Sequence, residues 1–220
     1  MKPIQGIYFR HFEDGYIPEI LEEIYKHKVY DPYIKGKHDL TIVDLGANIG
    51  LWTHYAYPSA KVIYSFEPAK EHFECLVTML VGNDMNRCGP INKAISNENG
   101  KTLFYHNANT TMYSLNKAVD GGEEFPPEEV GTITLDKFFE EYKLEHVDVM
   151  KVDIEGAEAS LFAGEGFEKV KDKIDCIIGE FHQWTGINPA QFETYFRDRD
   201  FTFKWLDKTS ATLFVAERIK

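Results

Sequence analysis

Short apolar runs that alternate with amphipathic segments constrain the fold of this chain more than any other feature of its sequence. The runs are apolar throughout, which is typical of parallel strands covered by helices on both faces. We predict strands over residues 40–45, 61–66, 91–96, 147–152, 174–179, 201–206 and 211–216. We predict helices over residues 17–30, 70–81, 135–142 and 189–197, and from residues 49 and 157 onward. This alternation of strand and helix predicts a doubly wound α/β sheet.

The last two predicted strands indicate how the sheet ends. Only residues 207–210 separate them, whereas a crossover between parallel strands needs about a dozen residues. We therefore expect an antiparallel C-terminal hairpin at one edge of an otherwise parallel sheet. Such an ending is unusual for a dinucleotide-binding fold.

Composition and charge exclude several classes of protein. With 43% hydrophobic and 27% charged residues, the chain of 220 residues has the composition of a globular protein and not of a disordered chain or a coiled coil. Its net charge of −12 repels polyanions, so we expect no nucleic acid partner. No segment approaches the ~20 apolar residues of a membrane span, and the N-terminus does not resemble a signal peptide. We expect a cytoplasmic protein without membrane insertion; the sequence does not indicate its oligomeric state.

The length and the distribution of polar residues predict the domain organisation. Residues 1–220 are expected to form a single domain with a helical and aromatic N-terminal extension over residues 1–38. A polar stretch without periodicity over residues 106–131 predicts a long loop. Because long connections in compact domains are usually functional or mobile, this loop is a candidate substrate lid.

The segment after the first predicted strand carries the sharpest local signal. Asp44, Gly46, Asn48 and Gly50 lie between a strand and a helix, where open α/β sheets bind ligands. A dinucleotide fingerprint that begins at Gly46 needs glycine at positions 48 and 51, so the spacing disfavours a nicotinamide oxidoreductase. The carboxylate of Asp44 disfavours a pyrophosphate and favours a ligand with cationic or hydroxyl groups.

A second acid follows the second predicted strand. Glu67 lies 21 residues beyond Gly46, where an acid accepts hydrogen bonds from a ribose diol. Taken alone, Asp44 is equally well explained as a turn or helix-capping carboxylate, and Glu67 as a surface charge before Pro68. Their order on successive strand ends favours a shared binding site.

Four segments, in the same order along the chain, carry a family resemblance. They are DLGANIG at 44–50, VIYSFEP at 62–68, TLDKF at 134–138 and VMKVDIEGAE at 149–158. The pattern resembles the FkbM family of S-adenosylmethionine-dependent methyltransferases and is collinear from about residue 41 to residue 182. The resemblance implies the class I methyltransferase sheet, a mostly parallel, Rossmann-like sheet of seven strands with an antiparallel last strand.

The resemblance also implies a cofactor, S-adenosylmethionine, and the residues that hold it. The residues around its methionine part would be Asp44, Gly46, Asn48 and Gly50. Glu67 would hold the ribose, and Ala94, in the segment 92–94, would lie by the adenine. The sulfonium and ammonium groups suit acids such as Asp44, and the carboxylate suits free backbone N–H groups at the start of the following helix.

The catalytic candidates follow the fourth and fifth predicted strands. Asp153, Glu180 and His182 should converge at the carboxyl edge of the sheet. His182 is interpreted as a general base, with a structural histidine as the alternative. Asp153 is expected to orient the substrate, to contact the cofactor or to ligate Mg²⁺ together with Glu180; a helix N-cap is the alternative. Glu158 is explained by the helix dipole alone, and no HExxH-type metal motif is present.

The family resemblance implies O-methylation of a hydroxyl on a small polar acceptor, such as a sugar, a glycolipid or a natural product. The segment 8–12, the loop 107–130 and Trp184 are the candidates for acceptor selection. The segment 8–12 is equally well an aromatic arm that anchors the core. The alternative function is a non-catalytic module that binds S-adenosylmethionine or a protein partner on the same fold.

Overall fold

The computed structural model describes residues 21–105, 126–183, 186–206 and 212–220, and ten strands lie within these ranges. The strands are Leu40–Leu45 (β1), Ala60–Phe66 (β2), Cys88–Ile91 (β3), Ala94–Ile95 (β4), Gly100–Phe104 (β5), Glu128–Ile133 (β6), Val147–Val152 (β7), Ile174–Glu180 (β8), Phe201–Trp205 (β9) and Leu213–Arg218 (β10). Seven of them form one sheet in the order β3-β2-β1-β7-β8-β10-β9, and three form a small sheet in the order β4-β6-β5.

The large sheet is parallel except for β10. Strand β10 pairs antiparallel with both β8 and β9, whereas β1, β2, β3, β7 and β8 pair in parallel. This topology confirms the predicted doubly wound α/β sheet with its C-terminal hairpin. The strand order reverses between β1 and β7, and ligands of open α/β sheets bind beyond the carboxyl ends of the strands at such a point.

Helices follow most strands. They are Asp31–Ile34, Leu51–Ala56, Lys70–Gly82, Leu135–Glu141, Glu158–Ala163, Glu165–Val170 and Pro189–Arg197, with a π-helical segment at Glu22–His27 and 3-10 turns at Tyr57–Ser59 and Lys171–Lys173. The Pro189–Arg197 helix begins with a capping box, in which the side chains of Asn188 and Gln191 each accept from the other's backbone N–H. No helix in the described ranges is long and apolar enough to cross a membrane.

Two apolar clusters cover the two faces of the large sheet. Successive strand residues enter opposite clusters, as Ile42 and Val43 do in β1. One cluster holds the aromatic side chains of the C-terminal half, including Phe162 and Phe192. The other contains Trp52 and the apolar side chains of the Lys70–Gly82 helix. Burial on both faces explains why the strands are apolar throughout.

The small sheet departs from the sequence-based prediction. The segment 91–96 was expected to be one strand, but β3 ends at Ile91 and β4 begins at Ala94, in a different sheet. Residues 128–131, expected to belong to the long loop, form the first part of β6. Strand β5 has mostly exposed or half-buried residues, so it lacks the apolar run that marks a covered strand.

Candidate active site

The loop after β1 turns sharply at three positions. Gly46, Asn48 and Gly50 have φ angles of +81°, +51° and +93°, and glycine adopts such angles at little steric cost. Space is a second constraint at Gly46, because a Cβ atom there would lie 1.8 Å from the backbone oxygen of Asp153. The loops after β1 and β7 are therefore in direct contact where the strand order reverses.

Backbone hydrogen bonds hold this loop in place. Every N–H group from Gly46 to Gly50 donates within the protein. The acceptors are Phe66 O for Gly46 and Ala47, Glu67 Oε2 for Asn48, Asn48 Oδ1 for Ile49 and Ala47 O for Gly50. Within this segment, the N–H groups of residues 46–50 are therefore already used, and a ligand carboxylate would have to bind N–H groups after Gly50.

Asp44 is fully buried at the carboxyl end of β1. Its Oδ2 atom accepts a hydrogen bond from Thr53 Oγ1 at 2.6 Å, and Thr53 in turn contacts Ser65 Oγ at 2.9 Å. Its Oδ1 atom is also buried and accepts no hydrogen bond among the described residues, with Lys151 Nζ 3.6 Å away. Burial raises the pKa of Asp44, and the Lys151 charge opposes the shift. The side chain neither caps a helix nor closes a turn, and its role in cofactor binding stays a prediction.

Glu67 joins the loops after β1 and β2. Its side chain is buried, and its two oxygens accept from the backbone N–H groups of Asn48 at 2.8 Å and Ala69 at 2.9 Å. Burial raises the pKa of Glu67 to about 7, although the two hydrogen bonds act in the opposite direction. Glu67 is therefore not a surface charge.

A buried lysine lies between these acids and the loop after β7. Lys151 Nζ donates to Gly46 O at 3.0 Å and to Asp153 Oδ2 at 3.1 Å, and it lies 3.6 Å from Asp44. Its single positive charge therefore interacts with two carboxylates, those of Asp44 and Asp153, at the ends of neighbouring strands.

His182, immediately after β8, lies among the acids that follow β7. Its Nδ1 atom donates to Glu158 Oε1 at 2.9 Å. Its Nε2 atom is 3.4 Å from Glu155 Oε2 and 4.0 Å from Asp153 Oδ1. Asp153, Glu155 and His182 are named the His182 cluster below. Glu155 lies beyond the end of β7 and reaches this position through a left-handed turn with φ of +51°.

The acids and His182 shift one another's pKa values. Burial raises the pKa of Glu155 to about 9, with further contributions from the charges of Asp153, Glu158 and Glu180. Burial lowers the pKa of His182, but the Glu158 hydrogen bond and the surrounding carboxylates raise it to about 10. Burial also raises the pKa of Asp153, but the charges of Lys151 and His182 bring it below its ordinary value. In this arrangement His182 is protonated at neutral pH, so it must lose a proton before it can act as a base.

The sequence of the chain matches a family model described as the methyltransferase FkbM domain over residues 44–203. This chain belongs to the FkbM methyltransferase family. It is therefore an S-adenosylmethionine-dependent methyltransferase. A curated relative, methyltransferase sdnD of Sordaria araneosa, is 28% identical over 216 residues, which cover 83% of this chain and 81% of sdnD.

Solved structures share the fold of this FkbM methyltransferase. A putative rRNA methylase from Clostridium thermocellum has a TM-score of 0.57 at 9% identity, covering 90% of this chain and 96% of that one. A putative methyltransferase from Streptococcus mutans in complex with SAH has a TM-score of 0.56 at 9% identity, with 90% and 97% coverage. At this identity the similarity shows the fold alone, a Rossmann-like methyltransferase sheet.

Two of the residues predicted to hold the cofactor have other neighbours in the FkbM chain. A Cβ atom at Gly50 would lie 2.2 Å from Met79 Cε, so this glycine permits close packing between helices. Ala94 is buried in β4 within a small cluster that includes Ala69. Asn92 lies nearer the cofactor-binding candidates, because its side-chain amide donates to the backbone oxygens of Glu67 and Pro68, each at 2.9 Å.

Glu158 is the functional candidate that sequence reasoning missed. It is fully buried, accepts from the backbone N–H groups of Ile154 and Gly156 at 3.0 and 3.1 Å, and binds His182. Its position shortly after Asp153, in the EGAE segment that follows the same strand, could have indicated that it lies close to the site. Glu180 is half-buried at the end of β8, and its charge acts on Glu155.

The remaining predictions concern residues that the structure does not describe. They are the aromatic segment 8–12, most of the loop 106–131, Trp184 and the hairpin turn at 207–210. The expectation that the loop is a lid therefore stays a prediction.

Proposed function

We propose that this FkbM methyltransferase methylates a hydroxyl oxygen of a small polar acceptor, such as a sugar, a glycolipid or a natural product. The observation that carries the proposal is the convergence of Asp153, Glu155 and His182 beside the Gly46 loop. An alcohol needs help to lose its proton during methyl transfer, and groups that hold and move protons are gathered at this edge of the sheet.

The buried acids fit the proposed position of S-adenosylmethionine. The orientation of Asp44, with a buried Oδ1 that accepts no hydrogen bond among the described residues, suits the ammonium group. The Glu67 carboxylate, held by two backbone N–H groups, suits the ribose diol. We assign Gly46 and Asn48 to the turn that lets the cofactor approach the loop after β1. We assign Asn92 and Ala94 to the part of the site that would hold the adenine ring.

The protein's own contribution to methyl transfer is alignment and proton handling. When bound, S-adenosylmethionine supplies the methyl group and leaves as S-adenosylhomocysteine. Asp153 is about one-third exposed, and Lys151 and His182 hold its pKa below the ordinary value, so it is an ionised acceptor for the hydroxyl hydrogen. Glu158 holds the His182 ring beside it.

The proposal is tested by a screen of sugars, glycolipids and phenols with radiolabelled S-adenosylmethionine. Transfer to a hydroxyl is expected, and calorimetry should show binding of S-adenosylhomocysteine. If neither cofactor form binds at millimolar concentration, the cofactor site is refuted. If the cofactor binds but no acceptor is methylated, the non-catalytic module becomes the better explanation.

Asp153→Asn tests the catalytic assignment once an acceptor is known. We expect kcat to fall by about a hundredfold or more, with little change in the affinity for S-adenosylhomocysteine. Asp172→Asn is the matched control, because the Asp172 side chain is 78% exposed and lies outside the site. Unchanged turnover in Asp153→Asn would exclude a role for this carboxylate at the acceptor.

The proposal also covers the localisation of the protein, its domain organisation and the absence of a nucleic acid partner. We infer that the enzyme is cytoplasmic, that residues 1–220 fold as one domain, and that the acceptor is not a nucleic acid. The last inference is supported by the net charge of −12, which opposes polyanion binding. A filter-binding assay with RNA and DNA at low salt tests whether the protein binds nucleic acid, and tight binding would overturn this part of the proposal.

A further inference from the structure

The His182 cluster combines one imidazole with two carboxylates from two strand ends. One possible ligand atom from each of Asp153, Glu155 and His182 lies within 4.8 Å of the other two. The Nε2 atom is 3.4 Å from one carboxylate oxygen and 4.0 Å from the other. Both separations exceed the 2.7 to 3.2 Å that is typical of an N–H···O hydrogen bond.

These separations suit ligands that share a cation. Metal–ligand bonds of about 2.0 to 2.2 Å place neighbouring ligand atoms roughly 3 to 3.5 Å apart in tetrahedral or octahedral geometry. The three atoms of the cluster would need to shift by less than about 1 Å to reach that geometry. Asp153 has a second oxygen, Oδ2, for Lys151, so Oδ1 faces the cluster while the lysine contact is kept.

The orientation of His182 supports the same interpretation. Glu158, which is fully buried, accepts from Nδ1 and thereby directs Nε2 toward Asp153 and Glu155. Histidines that bind metals usually donate their other ring N–H to a carboxylate or a carbonyl in this way. Glu158 is itself held by the backbone of the loop after β7, so the ring has a fixed support.

A comparable group of side chains at the opposite edge of the sheet lacks these features. His146, Asp148 and Asp175 also have ligand atoms within 4.8 Å of one another. Asp175, however, forms ion pairs with Arg218 at 2.7 Å and Lys220 at 3.1 Å. His146 is substantially exposed, and among the described residues no carboxylate supports its Nδ1 atom as Glu158 supports that of His182.

We propose that Asp153, Glu155 and His182 bind a divalent transition cation such as Mn²⁺ or Zn²⁺, which displaces the protons of His182 Nε2 and of the Glu155 carboxyl group into solvent. This ligand set differs from the magnesium pair expected from the sequence, because His182 and Glu155 replace Glu180. A mixed set of imidazole and carboxylates suits Mn²⁺ or Zn²⁺ better than Mg²⁺, which favours oxygen ligands and water. The purpose of the cation rests on the proposed function: it would hold the acceptor hydroxyl beside the transferred methyl group.

Calorimetry on the full chain, freed of metal with EDTA and without cofactor or acceptor, tests the site independently of activity. Titration with MnCl₂ and ZnCl₂ should show one bound cation per chain. His182→Ala should remove this binding, and Glu158→Gln should weaken it by about 10- to 100-fold. His146→Ala is the matched control and should bind like the wild type.

Paramagnetic broadening by Mn²⁺ gives a second measurement that needs no variant. In the wild-type protein the His182 ring resonances should broaden before those of His146. Absence of binding by either cation at millimolar concentration, or broadening at His146 first, would overturn the site.

The metal site and the proposed function fail in different ways. Full methyl transfer by the EDTA-treated enzyme would overturn the cation's role while leaving O-methylation in place. Cation binding in a protein that methylates no hydroxyl would retain the site and refute the activity.

Discussion

At the scale of single residues, the candidate site depends on carboxylates that the fold removes from water. Asp44 and Glu67 are both buried, and Lys151 Nζ lies 3.6 Å from Asp44 Oδ1. Burial disfavours the charged form of each acid, so both carry an unfavourable desolvation free energy in the free protein. A ligand that donates hydrogen bonds or positive charge to them recovers part of that free energy.

Glu67 should make cofactor binding depend on pH. Its pKa is raised to about 7, and a ribose diol donates best to the ionised form. Between pH 8 and pH 6 the ionised fraction falls from about nine-tenths to about one-tenth, so the affinity for S-adenosylhomocysteine should fall about tenfold. Calorimetric titrations at the two pH values measure this.

Glu67→Gln separates this effect from other titrations. The amide cannot ionise, so binding should be weaker at pH 8 and should vary less between pH 6 and pH 8. Glu71→Gln, at an exposed position in the following helix, should keep the wild-type pH dependence. An equal pH dependence in Glu67→Gln would exclude Glu67 as the titrating group.

At the scale of structural elements, the loops after β1, β2 and β7 form one interlocked unit. The backbone of the β1 loop contacts that of the β7 loop at Gly46, and Glu67 joins it to the β2 loop. Asp153 N donates to Leu45 O at 3.0 Å. The site is therefore assembled by backbone contacts between loops as much as by its side chains.

Gly46→Ala tests this contact. The added methyl group meets Asp153 O, and the residue also keeps a positive φ, so we expect a loss of about 3 to 5 kcal/mol in the free energy of unfolding. Gly36→Ala is a matched control, because Gly36 has a similar φ of +75° but no atom within 4 Å of an added Cβ. It should lose only about 1 to 2 kcal/mol. Urea denaturation measures both, and equal losses would contradict the steric explanation.

The two sheets differ in how well their strands could be predicted from the sequence. Strand β1 was predicted with its observed bounds, because burial on both faces produces an uninterrupted apolar run. The chain leaves the large sheet at Asn92, and nothing in the segment 91–96 marks that change, because Asn92 is held by backbone oxygens distant in sequence.

The same reasoning applies to the candidate site. Asp44, Glu67, Asp153 and His182 could be proposed from the sequence because each lies at or just after the end of a predicted strand. Glu158 was assigned to a helix dipole, since its contact with His182 joins residues 24 positions apart. Contacts between the loops of different strands depend on tertiary packing and are not visible in local spacing.

At the scale of the whole molecule, the two faces of the large sheet have different cores. One face carries a cluster of phenylalanines with Trp205, between the strands and the Pro189–Arg197 helix. Phe192 is fully buried there and stacks on Phe181 with ring centroids 4.2 Å apart. Phe181 precedes His182, so this aromatic packing also fixes the backbone that carries the histidine.

Phe192→Ala should destabilise the protein by about 3 to 5 kcal/mol, because it removes a buried ring and leaves a cavity. Leu103→Ala, at a side chain that is 47% exposed, should cost less than about 1 kcal/mol. Thermal unfolding followed by circular dichroism compares them. A similar small loss in both variants would show that the aromatic cluster contributes little to stability.

The position of β10 has a consequence for synthesis on the ribosome. Strand β10 follows β9 in the chain but lies between β8 and β9 in the sheet. When β8 and β9 have left the ribosome, β10, which pairs with both, has not yet emerged. The edge of β8 therefore keeps unpaired backbone groups until residues 213–218 emerge. Chains released earlier would expose this edge to other polypeptides, and exposed strand edges promote aggregation.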